Sequence, residues 1–239
     1  MLDASAILAL RFGEPVPHAC QCKGHVCPRH YLAWSGFALG GFLVLHLAMN
    51  TLGLWPAQFQ AAVNRNHALG FALPVLEVGL VFLPLAVHLA FGLRTLRREG
   101  LRFGVEKHHH DSDLRQWFQR VSALILLALI AFHVITLHRR LGGRFDPGDA
   151  FHSVSRAIWQ FWPGLPAGLP ANLLVAQLYL LGLVAAVYHL ADGVATGAEV
   201  LKLVDTPVAQ RRLWRVCLAA MPVLLIAGLA AGYAFAPLK

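Results

Sequence analysis

Five long apolar runs dominate this sequence and leave few folds open to it. They lie at about 31–55, 71–93, 117–138, 172–191 and 213–236. Each is close to the ~20 residues that a helix needs to cross the hydrocarbon core of a bilayer. The residue balance points the same way. The chain is 57% hydrophobic and 13% charged, whereas a soluble domain averages roughly 45–50% apolar and about 25% charged. The expected fold class is all-α, an integral membrane bundle of five transmembrane helices. The first run does not read as a cleaved signal peptide, because about thirty polar, Cys- and His-bearing residues precede it and no small-residue cleavage site follows it. The expected organisation is a 1–30 N-terminal segment and a 31–239 five-helix membrane domain, without a soluble catalytic domain.

The formal charge is +8, and its distribution says more than its sign. Fourteen of the twenty Lys and Arg fall on one side of the bundle: in the N-terminal segment, the second-to-third connection (Arg94, Arg97, Arg98, Arg102, Lys107, Arg115, Arg120) and the fourth-to-fifth connection. Six fall on the other side, among them Arg139 and Arg140. The positive-inside rule then predicts a cytoplasmic N-terminus and an external C-terminus. The charges are juxtamembrane and form no basic stripe, so no nucleic-acid partner is expected. Residues 139–171 read as the longest external loop, with turn signals at Gly142–Gly143, Asp146–Pro147–Gly148 and Pro163–Gly164–Leu165–Pro166. Trp159, Phe161 and Trp162 suit an interfacial belt there. Cys217 in the fifth run reads as a small apolar filler. Cys20, Cys22 and Cys27 lie on the cytoplasmic side, where disulfides are rare. Their spacing leaves two readings open, a metal site with His18 or His25 and plain reduced thiols.

Thirteen histidines are many for so apolar a chain. Four of them, His46, His88, His133 and His189, fall inside the first four runs, one to each. Ionisable residues at membrane depth are costly and point to function; the bland alternative is a histidine hydrogen-bonded across helices as packing glue. Their depths favour function. His46 comes about 15 residues into its outward run, ~22 Å from the inner end at ~1.5 Å per residue, and His133 comes a similar way through the third. The second and fourth runs go inward, with His88 six residues before Arg94 and His189 three before Asp192. Two pairs at two depths follow, His46 with His133 in the outer half and His88 with His189 in the inner half. Facing imidazoles from different helices are what a bis-His haem needs. One internal echo supports this. His88-Leu-Ala-Phe-Gly92 recurs as His189-Leu-Ala-Asp-Gly193, and a Gly four residues after a His clears bulk on the same helix face. Zinc fits less well, because it wants four ligands at one depth. A proton-coupled transporter would carry more buried carboxylates than the one deep Glu77.

Several segments carry a family resemblance. Leu45-His46-Leu47 with Asn50, Phe82-Leu83-Pro84-Leu85-Ala86-Val87-His88 with Gly92, Gln119-Arg120-Val121-Ser122 leading to His133, and His189 with Gly193 resemble the membrane cytochrome b subunit of succinate dehydrogenase and fumarate reductase. The form is the five-helix, dihaem, single-anchor type, and the likeness runs from about Tyr31 to Phe235. It implies two haems b, with the four histidines as iron ligands, in a multi-pass protein of the bacterial inner membrane. It implies an iron–sulfur subunit and an FAD flavoprotein subunit on the cytoplasmic side, docked on the basic loop, and a quinone, commonly menaquinone. Succinate would be converted in the flavoprotein, not in this chain. A haem b subunit of another dehydrogenase, such as a hydrogenase or formate dehydrogenase, is the alternative. Arg94 and Arg97 are the expected propionate partners of the inner haem, and Arg139 and Arg140 those of the outer. Glu77 precedes His88 by 11 residues, which on an unbroken helix is nearly the same face and ~16 Å further out. That makes it the expected proton-transfer group of a quinone site, with His67 a second candidate. Two departures stand out. The Cys20–Cys27 cluster is not part of the family pattern, and Val187 stands where some dihaem relatives carry a glutamate tied to a transmembrane proton path.

Overall fold

Proline, glycine and a capping hydroxyl set several helix boundaries. The computed structural model describes residues 28–101, 110–138, 145–159 and 169–236. Cys20, Cys22, Cys27, Lys107, Arg139, Arg140, Phe161 and Trp162 therefore lie outside the described residues. The first span, α1 (Pro28–Thr51), runs into a 3-10 turn and then a short helix, α2 (Pro56–His67), begun by a proline at its first position, where the missing N–H costs nothing. The second span comprises α3 (Ala72–Glu77), a π-helical segment over Val78–Phe82 and α4 (Leu83–Glu99). Pro84 explains the π turn, because a proline cannot donate to the helix ladder and its ring crowds the preceding turn. Gly100, at φ 67°, ends that span. The third span is α5 (His110–Leu137). It is followed by α6 (Ala150–Trp159), the fourth span α7 (Leu169–Val200) and the fifth span α8 (Pro207–Ala234). Thr206 caps α8 by accepting from the Ala209 N–H at 3.2 Å.

Five helices are long and apolar enough to cross a membrane, and no strand occurs among the described residues. The spans reach further than the apolar runs suggest, to Arg98 in the second and Val200 in the fourth. A helix need not stop at its first charge. Long arginines carry their charge to the boundary, and Asp192 stays inside because it has a partner. His189 therefore sits eleven residues before the end of its helix, as His88 does before Glu99. We call the end near Pro28, Gly100 and Val200 the basic end and the opposite one the capped end.

The fourth span is the most buried and packs against the first, third and fifth. Small residues let these backbones approach: a Cβ on Gly182 would fall 2.1 Å from Leu129 Cδ2 of the third span. At the capped end, the first-to-second connection forms α2, and part of the stretch that reads as the longest external loop forms α6. Each turns a helical stripe inward, Phe59, Ala62 and Val63 on α2 and Ala150, Ser153, Val154 and Ala157 on α6. They close around Phe235. Gln60 ties them by donating to Pro147 O at 2.7 Å and accepting from Ala150 N at 2.9 Å. Trp159 is half-buried and donates its Nε1–H to Gly232 O at 3.3 Å, so it belongs to this cap. At the N-terminus of α6, a 2.6 Å hydrogen bond from His152, aided by Arg156, holds the Asp149 carboxyl below the usual carboxylate range. Cys217 is free and buried against Ala191 and Ala195, a filler as expected.

Candidate cofactor site

A cavity of about 2400 Å³ runs along the bundle between the spans. A pocket for one drug-sized ligand measures ~300–1,000 Å³, so this space has room for more than one large group. All four span histidines line it. The rings of His46 on α1 and His133 on α5 are 5.8 Å apart between centroids, at 88°. Those of His88 on α4 and His189 on α7 are 6.1 Å apart, at 80°. The levels differ: His88 meets Leu32 and Ser35 of α1, and His46 lies eleven residues beyond Ser35, ~16 Å along the helix at ~1.5 Å per residue.

The pair at the basic end is held by one device used twice. His88 Nδ1 is 3.2 Å from both Leu32 O and Ser35 Oγ. His189 Nδ1 is 3.2 Å from both Gln119 O and Ser122 Oγ. A backbone carbonyl can only accept, so each Nδ1 carries its proton and each Nε2 keeps a lone pair. That is the tautomer a metal-binding histidine needs, with its orientation set by the outer hydrogen bond. Both serines are buried and donate in turn to their own helix, Ser35 to Tyr31 O at 2.7 Å and Ser122 to Gln119 O at 3.0 Å. At the capped end, His133 Nδ1 meets the Tyr179 hydroxyl at 3.3 Å, and His46 stacks at a tilt on Phe42, 5.4 Å away. Sequence reasoning missed Ser35 and Tyr179. Their signal is a hydroxyl inside an apolar run, but nothing in the sequence names the partner.

Gly92 and Gly193 both line the cavity. A Cβ on either would make only ordinary contact, at 4.0 Å from Leu32 Cδ1 and 3.6 Å from Gln119 Nε2 respectively. The glycine that clears a histidine ring is Gly36, whose Cβ would stand 3.2 Å from His88 Cε1. Arg94 and Arg97 do not line the cavity. At ~100° per residue they sit about 120° and 180° round the helix from His88, on a separate surface hollow with Arg98. The cavity's cations at the basic end are Arg29, Arg115 and Arg120. Arg115 Nε donates to Asp192 Oδ1, its Nη2 reaches Thr196 Oγ1 at 3.0 Å, and its guanidinium lies 4.7 Å over the Trp214 ring. That pairing is why a carboxylate only 3% exposed is tolerable there. Glu77 and His67 also line the cavity. The π segment adds roughly one residue between Glu77 and His88, turning them about 100° from the unbroken-helix register. The cavity is wide enough to take in both.

These residues fit a flat metal-bearing cofactor. Imidazole nitrogens bind a metal at about 2.0 Å, which puts two facing rings about 6.4 Å apart across one ion. Both observed spacings are close to that. Among the described residues no three His, Cys, Asp or Glu side chains converge. Each level offers two imidazoles, so a metal held there would take its remaining ligands from a macrocycle such as haem. Fold and site together define a five-span helical membrane protein with paired histidines at two levels of an inner cavity. Over 202 residues the chain is 26% identical to the succinate dehydrogenase cytochrome b558 subunit of Bacillus subtilis (strain 168), a match that covers 82% of this chain and 90% of that protein. No family model matches the chain, and no solved structure matches it.

Proposed function

We propose that the chain is the membrane anchor and cytochrome b subunit of a succinate:quinone oxidoreductase or quinol:fumarate reductase. In this reading it holds two b-type haems and carries electrons between an iron–sulfur partner and a quinone. The pairing of four histidines at two levels of one cavity carries the proposal. The likeness to the Bacillus subtilis subunit supports the choice of complex.

His88 and His189 would hold one haem at the basic end, and His46 and His133 would hold the other at the capped end. When bound, the haems supply one-electron relays through the bundle. The chain's own residues do the rest. Leu32 O, Ser35, Gln119 O and Ser122 keep Nδ1 protonated and Nε2 aimed inward. Arg29, Arg115 and Arg120 supply positive charge for the carboxylates of the cofactor. The apolar walls keep water out, which strengthens every charge interaction inside. Quinone reduction takes up two electrons and two protons, and Glu77 on the cavity wall is the group that exchanges those protons. The basic end faces the cytoplasm, as the positive-inside rule requires, and its charges suit an acidic iron–sulfur subunit. That subunit in turn carries the flavoprotein in which succinate and fumarate interconvert.

The test is purification from native membranes. Expected are a reduced-minus-oxidised b-type spectrum, two haems per chain, and co-purifying iron–sulfur and covalent-FAD subunits. Protein without haem absorbance, or partners without flavin, would overturn the proposal.

A further inference from the structure

The second span carries a cluster of charge that the cavity does not use. This span is the least buried of the five and packs mainly on the first. Toward the basic end its outer flank holds Arg94, Arg97 and Arg98, which gather with Ala90 and Leu93 around a surface hollow of about 480 Å³. At ~100° per residue the middle of this group stands about 150° round the helix from His88, and Ala90 and the three arginines are exposed. Among the described residues, none of the three arginines makes a hydrogen bond or an ion pair. The arginines of the cavity differ: Arg115 is held by Asp192, and Arg120 donates to Gly100 O at 2.9 Å. Aromatic rings mark the depth of the hollow. Phe91 stacks on Tyr31 of the first span, with centroids 5.4 Å apart at 8°. Tyr31 and Trp34 are exposed, as rings at a headgroup boundary are. Arg94 to Arg98 follow Phe91 along the helix and stand ~4.5 to ~10 Å nearer the basic end at ~1.5 Å per residue. The guanidinium groups therefore lie at the headgroup level, above an apolar floor that reaches the acyl chains.

Arginine presents a planar fork of N–H donors that matches phosphate oxygens two at a time. Topology asks for positive charge at one end of a bundle, but not for three unpaired guanidinium groups on one flank over an apolar floor. We propose that this hollow binds the phosphate headgroup of an anionic phospholipid, the arginines clasping the phosphate oxygens while an acyl chain runs down over Ala90 and Leu93. The site is separate from the cofactor cavity. It goes beyond the electron-transfer reading and does not depend on it, since it uses only the membrane-spanning fold and the charge on its outer flank.

The experiment uses the full chain with its co-purifying partners, stripped of lipid in a neutral detergent and titrated with cardiolipin, an anionic phospholipid. Native mass spectrometry counts the bound lipids and gives a Kd. Cardiolipin should bind well ahead of phosphatidylcholine. A basic residue at a membrane surface contributes about fivefold to binding an anionic lipid, so Arg94→Gln with Arg97→Gln and Arg98→Gln should weaken the first Kd about a hundredfold. Arg211→Gln with Arg212→Gln and Arg215→Gln removes the same charge at the same end from residues outside the hollow, and should leave that Kd near the parent value. Equal losses in the two triple variants would mean a diffuse charge effect and would overturn the site. Displacement of cardiolipin by inorganic phosphate would also overturn it, since the hollow would then hold a free anion. So would unchanged cardiolipin binding in the Arg94, Arg97 and Arg98 variant with loss of a co-purifying subunit, which would assign these arginines to protein docking. If that variant does not assemble, Ala90→Phe decides. It keeps every charge and fills the floor of the hollow, so weakened cardiolipin binding supports the site and parent-like binding overturns it.

Discussion

Ser35 and Ser122 hold histidines on different helices, so they can test whether His88 and His189 share one metal. Each serine provides one of two acceptors for an Nδ1–H, at 3.2 Å, and the carbonyl of Leu32 or Gln119 remains when the hydroxyl is removed. A hydrogen bond from Nδ1–H makes the imidazole a stronger donor to the metal. That favours the more positive, oxidised iron and lowers its potential. Ser35→Ala or Ser122→Ala should therefore raise the midpoint. A neutral hydrogen bond contributes ~0.5–1.5 kcal/mol in all. If about 0.5 kcal/mol of it differs between oxidation states, the change is ~20 mV for one electron, since 59 mV corresponds to ~1.4 kcal/mol. Redox titration of the α-band resolves this. Both single variants should move the same component upward, and the double variant should move it by roughly the sum. If Ser35→Ala moved one component and Ser122→Ala the other, His88 and His189 would not bind the same haem.

Further predictions follow from the same geometry. His46→Ala and His88→Ala should each remove one spectral component, and not the same one; loss of a common component would refute the pairing. Arg115→Leu leaves Asp192 buried without its partner and should cost ~3–5 kcal/mol, read as a lower thermal midpoint in detergent, whereas Arg115→Leu with Asp192→Leu should be much milder. A neutral outcome for the single change would mean that the pair is not buried as described. Glu77→Gln should abolish quinone-linked turnover while both haems remain, and normal turnover would exclude Glu77 as the essential proton-transfer group.

The spans were legible because twenty apolar residues in a row have few other uses. The two histidine levels were legible because each of the first four spans carries one deep histidine and the topology alternates. The span ends were not, since the partner of Asp192 is Arg115, 77 positions earlier in the chain. The capping helices were too short and too polar for a hydropathy reading, although Pro56 ahead of Phe59, Ala62 and Val63 is a helix signal at small scale. Pro84 signalled a disturbed helix. An unbroken-helix count through it puts Glu77 on the face of His88, and the π segment turns it away. Arg94 and Arg97 are close to His88 in sequence, but their angle round the helix puts them on a separate surface hollow.

The crossing of the two pairs, first span with third and second with fourth, bears on how such a chain is made. Ribosomal synthesis delivers the spans in order. His46 gains its partner once the third span has entered the bilayer, while His88 waits for the fourth. On the proposed reading, the capped-end site would be complete on a nascent chain whose basic-end site is still half built. With a haem in each, as proposed, each ligand bridge would span the gap between the first hairpin and the second, and neither hairpin would leave the bundle without breaking bonds at both depths.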